Sequence, residues 1–97
     1  MTMEANSASQ NAINTFREAH GRMFSASVER YAKGNHTFQE CEIFIGRGRG
    51  SDANRPYVCI DYDEAFDCAN SSIRLKDDVL IISHGAETIY ISPSIAL

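Results

Sequence analysis

No apolar run in this chain approaches the roughly 20 residues that a membrane-spanning helix needs. The opening, MTMEANSASQN, has neither the basic nor the apolar region of a secretory leader. The expectation is a chain made and kept in the cytoplasm. Cysteine is scarce. Cys41, Cys59 and Cys68 are three widely spaced thiols without a C-x-x-C, which argues against a disulfide framework and reads as reduced thiols. There are no internal repeats and no low-complexity segments. Positive charge is in deficit: the net charge is −4. That balance disfavours a free nucleic-acid binder, though it leaves room for a local basic patch.

What is present suits one small globular domain spanning residues 1–97. Hydrophobic residues make up 43% and charged residues 23% of the chain. Ninety-seven residues bury only a modest core, so assembly with other subunits would help stability.

From about Ser7 the pattern is helical. Ala12, Ile13, Phe16, Ala19 and His20 recur at spacings of three and four on one face. Ser7 or Ser9 suits the N-cap, and Gly21 suits the position that ends the helix. The next stretch, RMFSASVERYAK, reads two ways. A helix lines up Phe24, Val28 and Tyr31; a strand alternates Phe24, Ala26 and Val28 against Ser25, Ser27 and Glu29. The strand is favoured, because Lys33-Gly34-Asn35-His36 has the look of a hairpin turn.

The remainder reads as strands. Cys41, Ile43 and Ile45 share one face of TFQECEIFIG, with Phe38 and Phe44 on the other. PYVCIDY groups Val58, Ile60 and Tyr62. Ile73 and Leu75 form a short strand before a polar Lys76-Asp77-Asp78 turn. VLIIS and ETIYIS flank a hairpin turn at His84-Gly85, and Pro93 ends the last strand because it cannot donate to a ladder. The expected class is α+β: an N-terminal helix packed on a small antiparallel β-barrel or sheet of five to six strands. Residues 1–11 are expected to be a mobile N-terminal arm, residues 12–92 the helix and barrel, and residues 93–97 a C-terminal tail.

Motifs that carry chemistry are few. The acidic run Asp61-Tyr62-Asp63-Glu64-Ala65-Phe66-Asp67 starts like a calcium loop. It then places Ala65, Phe66 and Ser72 where an oxygen ligand, a glycine and a glutamate are required. It reads as a solvated rim whose Asp61 and Asp63 could meet a partner. His20, His36 and His84 fall at a helix end and in two turns, without a second ligand at metal spacing. Cys59 or Cys68 lacks any recognisable nucleophile context. No catalytic, cofactor-binding or metal residue is assigned, and no enzyme activity or cofactor is expected.

The oddest stretch is GRGRGSDANRP, residues 46–56. It lacks the G-x-x-x-x-G-K-[ST] phosphate loop and the third glycine of the dinucleotide fingerprint. RNA-binding arginine–glycine segments are longer and interleave aromatics. Two readings stay open: a mobile inter-strand loop kept soluble by its charges, or a segment whose Arg47, Arg49 and Arg55 meet acidic or phosphate surface on assembly through guanidinium forks. After Pro93, Ile95 and Leu97 either fold back on the barrel or anchor a neighbour.

Three segments carry a family resemblance: INTFREAHGRMFSASVERYAKGNHTFQECEIFIGRG, RPYVCIDYDEAF and LKDDVLIISHGAETIYIS. In their order of helix, strand, glycine hairpin, strand, flexible loop and closing hairpin, over residues 12–92, they resemble the lambda-type head–tail joining proteins of long-tailed bacteriophages. This is the head-completion or stopper family. The resemblance implies a structural, non-enzymatic neck protein, present in the host cytoplasm before assembly and in the virion afterwards. It implies ring-forming self-association, partners in the portal or connector protein and in a tail terminator or tail tube protein, contact with packaged DNA, and no membrane. It also implies that residues 1–11 and 46–56 become ordered on assembly. The neck reading expects a monomer in dilute solution. The alternative is a small acidic inhibitor or adaptor that binds a host protein through its Asp61–Asp67 rim. A third reading, a small-barrel nucleic-acid binder, expects salt-dependent oligonucleotide binding.

Overall fold

The structure, a computed structural model, describes residues 2–47 and 55–94. One helix, α1 (Thr2–His20), precedes seven strands: β1 (Met23–Ala32), β2 (Asn35–Arg47), β3 (Pro56–Ile60), β4 (Glu64–Asp67), β5 (Ser72–Lys76), β6 (Val79–His84) and β7 (Glu87–Pro93). All pairs are antiparallel, in the order β4-β3-β2-β1-β7-β6-β5.

That order forces curvature. β4 and β5 lie at opposite edges of the sheet, which in a flat seven-stranded sheet would stand about 29 Å apart. The chain crosses between them in the short link from Asp67 to Ser72, whose reach is at most ~19 Å at 3.8 Å per Cα step. The sheet therefore curls into a half-barrel, and α1 packs across its open side, chiefly against β5 and also on β3 and β6.

The class is α+β, as the apolar patterning indicates, but the strand count is higher than five to six. The strand missed is β4. Its sequence, EAFD, buries only Phe66, so the acidic run hides a strand behind charged neighbours. Residues 23–32 are a strand, as favoured. Gly34, at φ 77°, is the second residue of the two-residue turn between Ala32 and Asn35.

Four details differ from the sequence reading. The helix starts at Thr2 and not Ser7; Met3, Glu4 and Ala5 have high helix propensity without apolar periodicity. Ser9 therefore lies inside the helix, where it cannot act as an N-cap. Ala19 is exposed, while Ile13 and Phe16 are fully buried. Tyr62 leaves the face of Val58 and Ile60: β3 stops at Ile60, and Tyr62 sits in a turn at φ 67°, 64% exposed. The last hairpin turns on Gly85-Ala86 and not His84-Gly85, since His84 pairs with Glu87. Gly85 has φ 60°, and glycine at the first loop position is what a type II′ turn uses.

Gly21 ends α1 as expected, with φ 91° and its N–H donating to the Arg17 carbonyl at 2.7 Å. The core fills the concave face. Ile13 and Phe16 of α1 meet Val28, Ile43, Ile45, Val58, Ile60, Phe66, Ile73, Leu80, Ile82, Ile89 and Ile91. Cys41 is buried among them, and burial pushes its thiol pKa up.

Candidate interaction surface

The strand registers sort the candidate residues between the two ends of the half-barrel. At one end stand the start of β1, the end of β2, the start of β3 and the end of β7, through the pairs Met23↔Phe44, Arg47↔Pro56 and Ala26↔Pro93. Arg47 and Arg55 flank the mouth of the loop there. Arg47 is exposed and Arg55 is half-buried. Arg49, with residues 48–54, lies outside the described residues, and so do Ile95 and Leu97. The strand that leads to that tail, β7, runs toward this same end. Ser94 continues alongside β1, its N–H donating to the Ser25 carbonyl at 3.0 Å and its hydroxyl to the Glu40 carboxylate.

Arg22 belongs to this group and was not singled out from the sequence. Its carbonyl accepts from Ile45 N–H at 2.8 Å, which places it beside the last residues of β2. Arg22 and Met23 are both exposed, Met23 by 57%. No local spacing reveals that neighbourhood, because it follows from the register of β1 on β2.

The base of the loop is built tightly. Gly46 has the Tyr57 and Phe44 rings laid over its α-carbon: a β-carbon there would fall 2.6 Å from the Tyr57 ring and 2.7 Å from Phe44. Phe44 precedes Gly46 by two residues on the same face, and Tyr57 pairs with Gly46 across the ladder. An aromatic pair over a strand glycine restores the packing that the missing side chain forfeits.

Asp61 and Asp63 lie at the other end of β3, about 17 Å away by the length of a five-residue strand. The structure does not bring them together with Arg47 and Arg55. Both are exposed. Asp61 also holds the backbone of β2 in place. Its carboxylate accepts Glu42 N–H at 2.9 Å, and its own N–H donates to the Glu42 carbonyl at 2.8 Å. Asp63 N–H donates to the Ile60 carbonyl at 3.3 Å.

Inside this second end lies the densest charge cluster among the described residues. Arg30 projects from the concave face of β1. Its Nη1 and Nη2 each donate to a Glu64 carboxylate oxygen at 2.7 Å, while Nε and Nη2 reach Glu87 at 2.8 and 3.0 Å. Such a fork is the strongest form of side-chain ion pair. Hydrogen bonds from Arg30 hold the Glu64 carboxyl below its ordinary value, and those to Glu64 and then Glu87 raise the Arg30 guanidinium above its own. Both glutamates are engaged by one cation.

The histidines serve as local links. His20 Nε2 lies 2.8 Å from the Asp78 carboxylate. His36 stacks on Tyr31 at 4.4 Å and contacts Glu29 at 2.9 Å. His84 Nδ1 donates to the Asn70 carbonyl at 2.8 Å and lies edge-on to Phe66. Hydrogen bonds from Tyr31 and then His36 lower the Glu29 pKa.

Comparison with protein-family models, with curated proteins and with solved structures gives no match.

Proposed function

We propose that this chain is a structural neck component of a long-tailed bacteriophage, joining the portal at the head to the tail and helping to retain packaged DNA. The observation that carries the reading is the gathering of Arg22, Arg47 and Arg55 at one end of the half-barrel, the end toward which β7 runs. The exposed Arg22 and Arg47, beside the exposed Met23, offer bidentate contacts to carboxylates or phosphates together with apolar contact area. The order of the elements supports the same reading, with a helix followed by antiparallel strands around an arginine-bearing loop. On this reading the work is mechanical, and the acidic remainder of the surface disfavours indiscriminate nucleic-acid binding.

Imaging particles that carry a label on this protein tests the reading. Density at the neck is the expected result, and absence of the label from purified particles overturns it. Reversing the exposed Arg22 and Arg47 to glutamate should leave a folded protein that fails to enter particles.

One observation favours a second reading, an acidic adaptor for a host protein: Tyr62, 64% exposed, stands between exposed Asp61 and Asp63. That reading expects a one-to-one complex lost on Tyr62→Ala and indifferent to the arginine reversals.

A further inference from the structure

Strand β2 is 13 residues long and is covered unequally. Along one side β1 pairs with it from Asn35 to Phe44. Along the other, β3 pairs only from Ile43 to Arg47, and Asp61 takes the position opposite Glu42. From Asn35 to Cys41 that outer edge has no strand partner among the described residues.

Two residues of β2 fix the backbone directions. Glu42 turns its N–H and C=O outward to Asp61, and Ile45 turns its N–H inward to Arg22. Alternate residues of a strand bond to opposite sides. His36, Phe38 and Glu40 therefore present their backbone donors and acceptors at the open edge. The usual protections of such an edge are lysine, proline or a covering element. Residues 35–41, NHTFQEC, contain neither lysine nor proline, and Phe38 is 65% exposed.

We propose that this edge pairs with the same edge of a second copy of the chain, giving a two-fold antiparallel β2–β2 dimer centred on Thr37. Asp61 sets the centre. The incoming Lys33–Gly34 tip must stop short of Glu42 in the second copy, because Asp61 already occupies that position. A centre at Thr37 puts Gly34 opposite Glu40, whereas a centre at Phe38 would drive Gly34 into the Asp61 site.

In this register the edge complements itself. His36 faces Phe38 of the second copy, and the reverse pair repeats across the axis. His36 already stacks on Tyr31, so each half of the interface becomes a continuous aromatic column. On the opposite face Thr37 meets Thr37, and Asn35 meets Gln39. Aromatic and threonine pairs are favourable cross-strand combinations. No like charges are opposed, and that self-complementarity is why the occupant is a second copy of this chain. The contact is isologous and closes at two. Its short length makes it weak, so dimer forms as the protein is concentrated. The dimer stands independently of the neck reading.

Analytical ultracentrifugation of the whole chain from micromolar to near-millimolar concentration is the test. Wild type should pass from monomer to dimer. Phe38→Pro removes an outward-facing N–H, which edge strands tolerate, together with the ring that faces His36 of the second copy, and should stay monomeric; Phe38→Lys serves the same purpose if the proline variant does not fold. In Thr37→Cys the two thiols meet across the axis, with Cα atoms about 4.5 Å apart in a non-hydrogen-bonded pair, inside the disulfide range. Mild oxidation should link that variant into dimer faster than Gln39→Cys or wild type with its own three thiols. Monomer at every wild-type concentration, dimer persisting in both Phe38 variants, or equal cross-linking of Thr37→Cys and Gln39→Cys would each overturn the proposal.

Discussion

Ser9 and Ile73 are joined by a buried hydrogen bond: the Ile73 N–H donates to the Ser9 hydroxyl at 3.1 Å. β5 is an edge strand, so this N–H lacks a neighbouring strand to receive it. The helix supplies the acceptor. Gln10, one residue on, reaches Cys68 in the link between β4 and β5 at 3.7 Å. These contacts tie α1 across the open side of the sheet. They are specific to position, whereas the apolar packing of Ile13 and Phe16 would tolerate some sliding.

Ser9→Ala leaves the Ile73 N–H buried without an acceptor. Ser9 is 5% exposed, so the loss should cost about 1–3 kcal/mol. Chemical denaturation should show a lower midpoint with unchanged slope, and Ile73 should lose amide exchange protection.

Arg30→Ala leaves Glu64 and Glu87 facing each other without their cation. The Arg30 side chain is 22% exposed and that of Glu64 42%, between the surface and buried limits, so the expected loss is about 1–3 kcal/mol. Arg30→Ala with Glu64→Gln should recover part of it. A loss equal to the sum of the single effects would show that the pair is uncoupled.

The same cluster sets an acid limb. The Glu64 pKa is lowered from an ordinary 4.5 by hydrogen bonds from Arg30. A carboxylate depressed in the folded state binds its proton more readily when unfolded. Its stabilisation is therefore complete above pH 4.5 and is lost as pH falls through the folded value. Denaturation followed from about pH 6 down to about pH 3, across the carboxylate range, should show wild type losing more stability than Glu64→Gln over that window.

Gly46→Ala should destabilise by roughly 1–3 kcal/mol through overpacking, since its new methyl must displace the Tyr57 and Phe44 rings. The backbone at Gly46 is ordinary, so the conflict is one of space. Tyr57→Ala in the same chain should relieve it, and a thermal-melt double-mutant cycle reads the coupling.

Asp77 and Asp78 form a two-residue turn between paired Lys76 and Val79, with φ of 52° and 65°. That is a type I′ hairpin carrying two residues less suited to it than Asn-Gly. Asp77→Asn should raise stability by about 0.5 kcal/mol, read as a higher melting temperature. Asp78 should be left in place, because His20 is held to it at 2.8 Å.

Local sequence determined the elements wherever one face is buried and the turns are marked. The alternation of Cys41, Ile43 and Ile45, of Val58 and Ile60, and of Ile73 and Leu75 specifies strands because a pleated backbone sends every second side chain inward. Gly21, Gly34 and Gly85 mark three of the chain reversals because each holds a positive φ. The same logic failed at β4, where one buried phenylalanine among acids gives no period to read, and at Tyr62, where alternation was carried past a turn.

Tertiary structure decided everything that depends on strand order and register. Arg30 finds its two glutamates 34 and 57 residues away, and Arg22 joins Arg47 and Arg55 only because β1 lies against β2. Ser9, a capping residue by its type, became the acceptor for an edge strand. The open edge of β2 exists only because β3 is short. Local patterning fixes which way side chains point within a strand, but which strands become neighbours is settled by the burial of a shared core, and that information is spread over the whole chain.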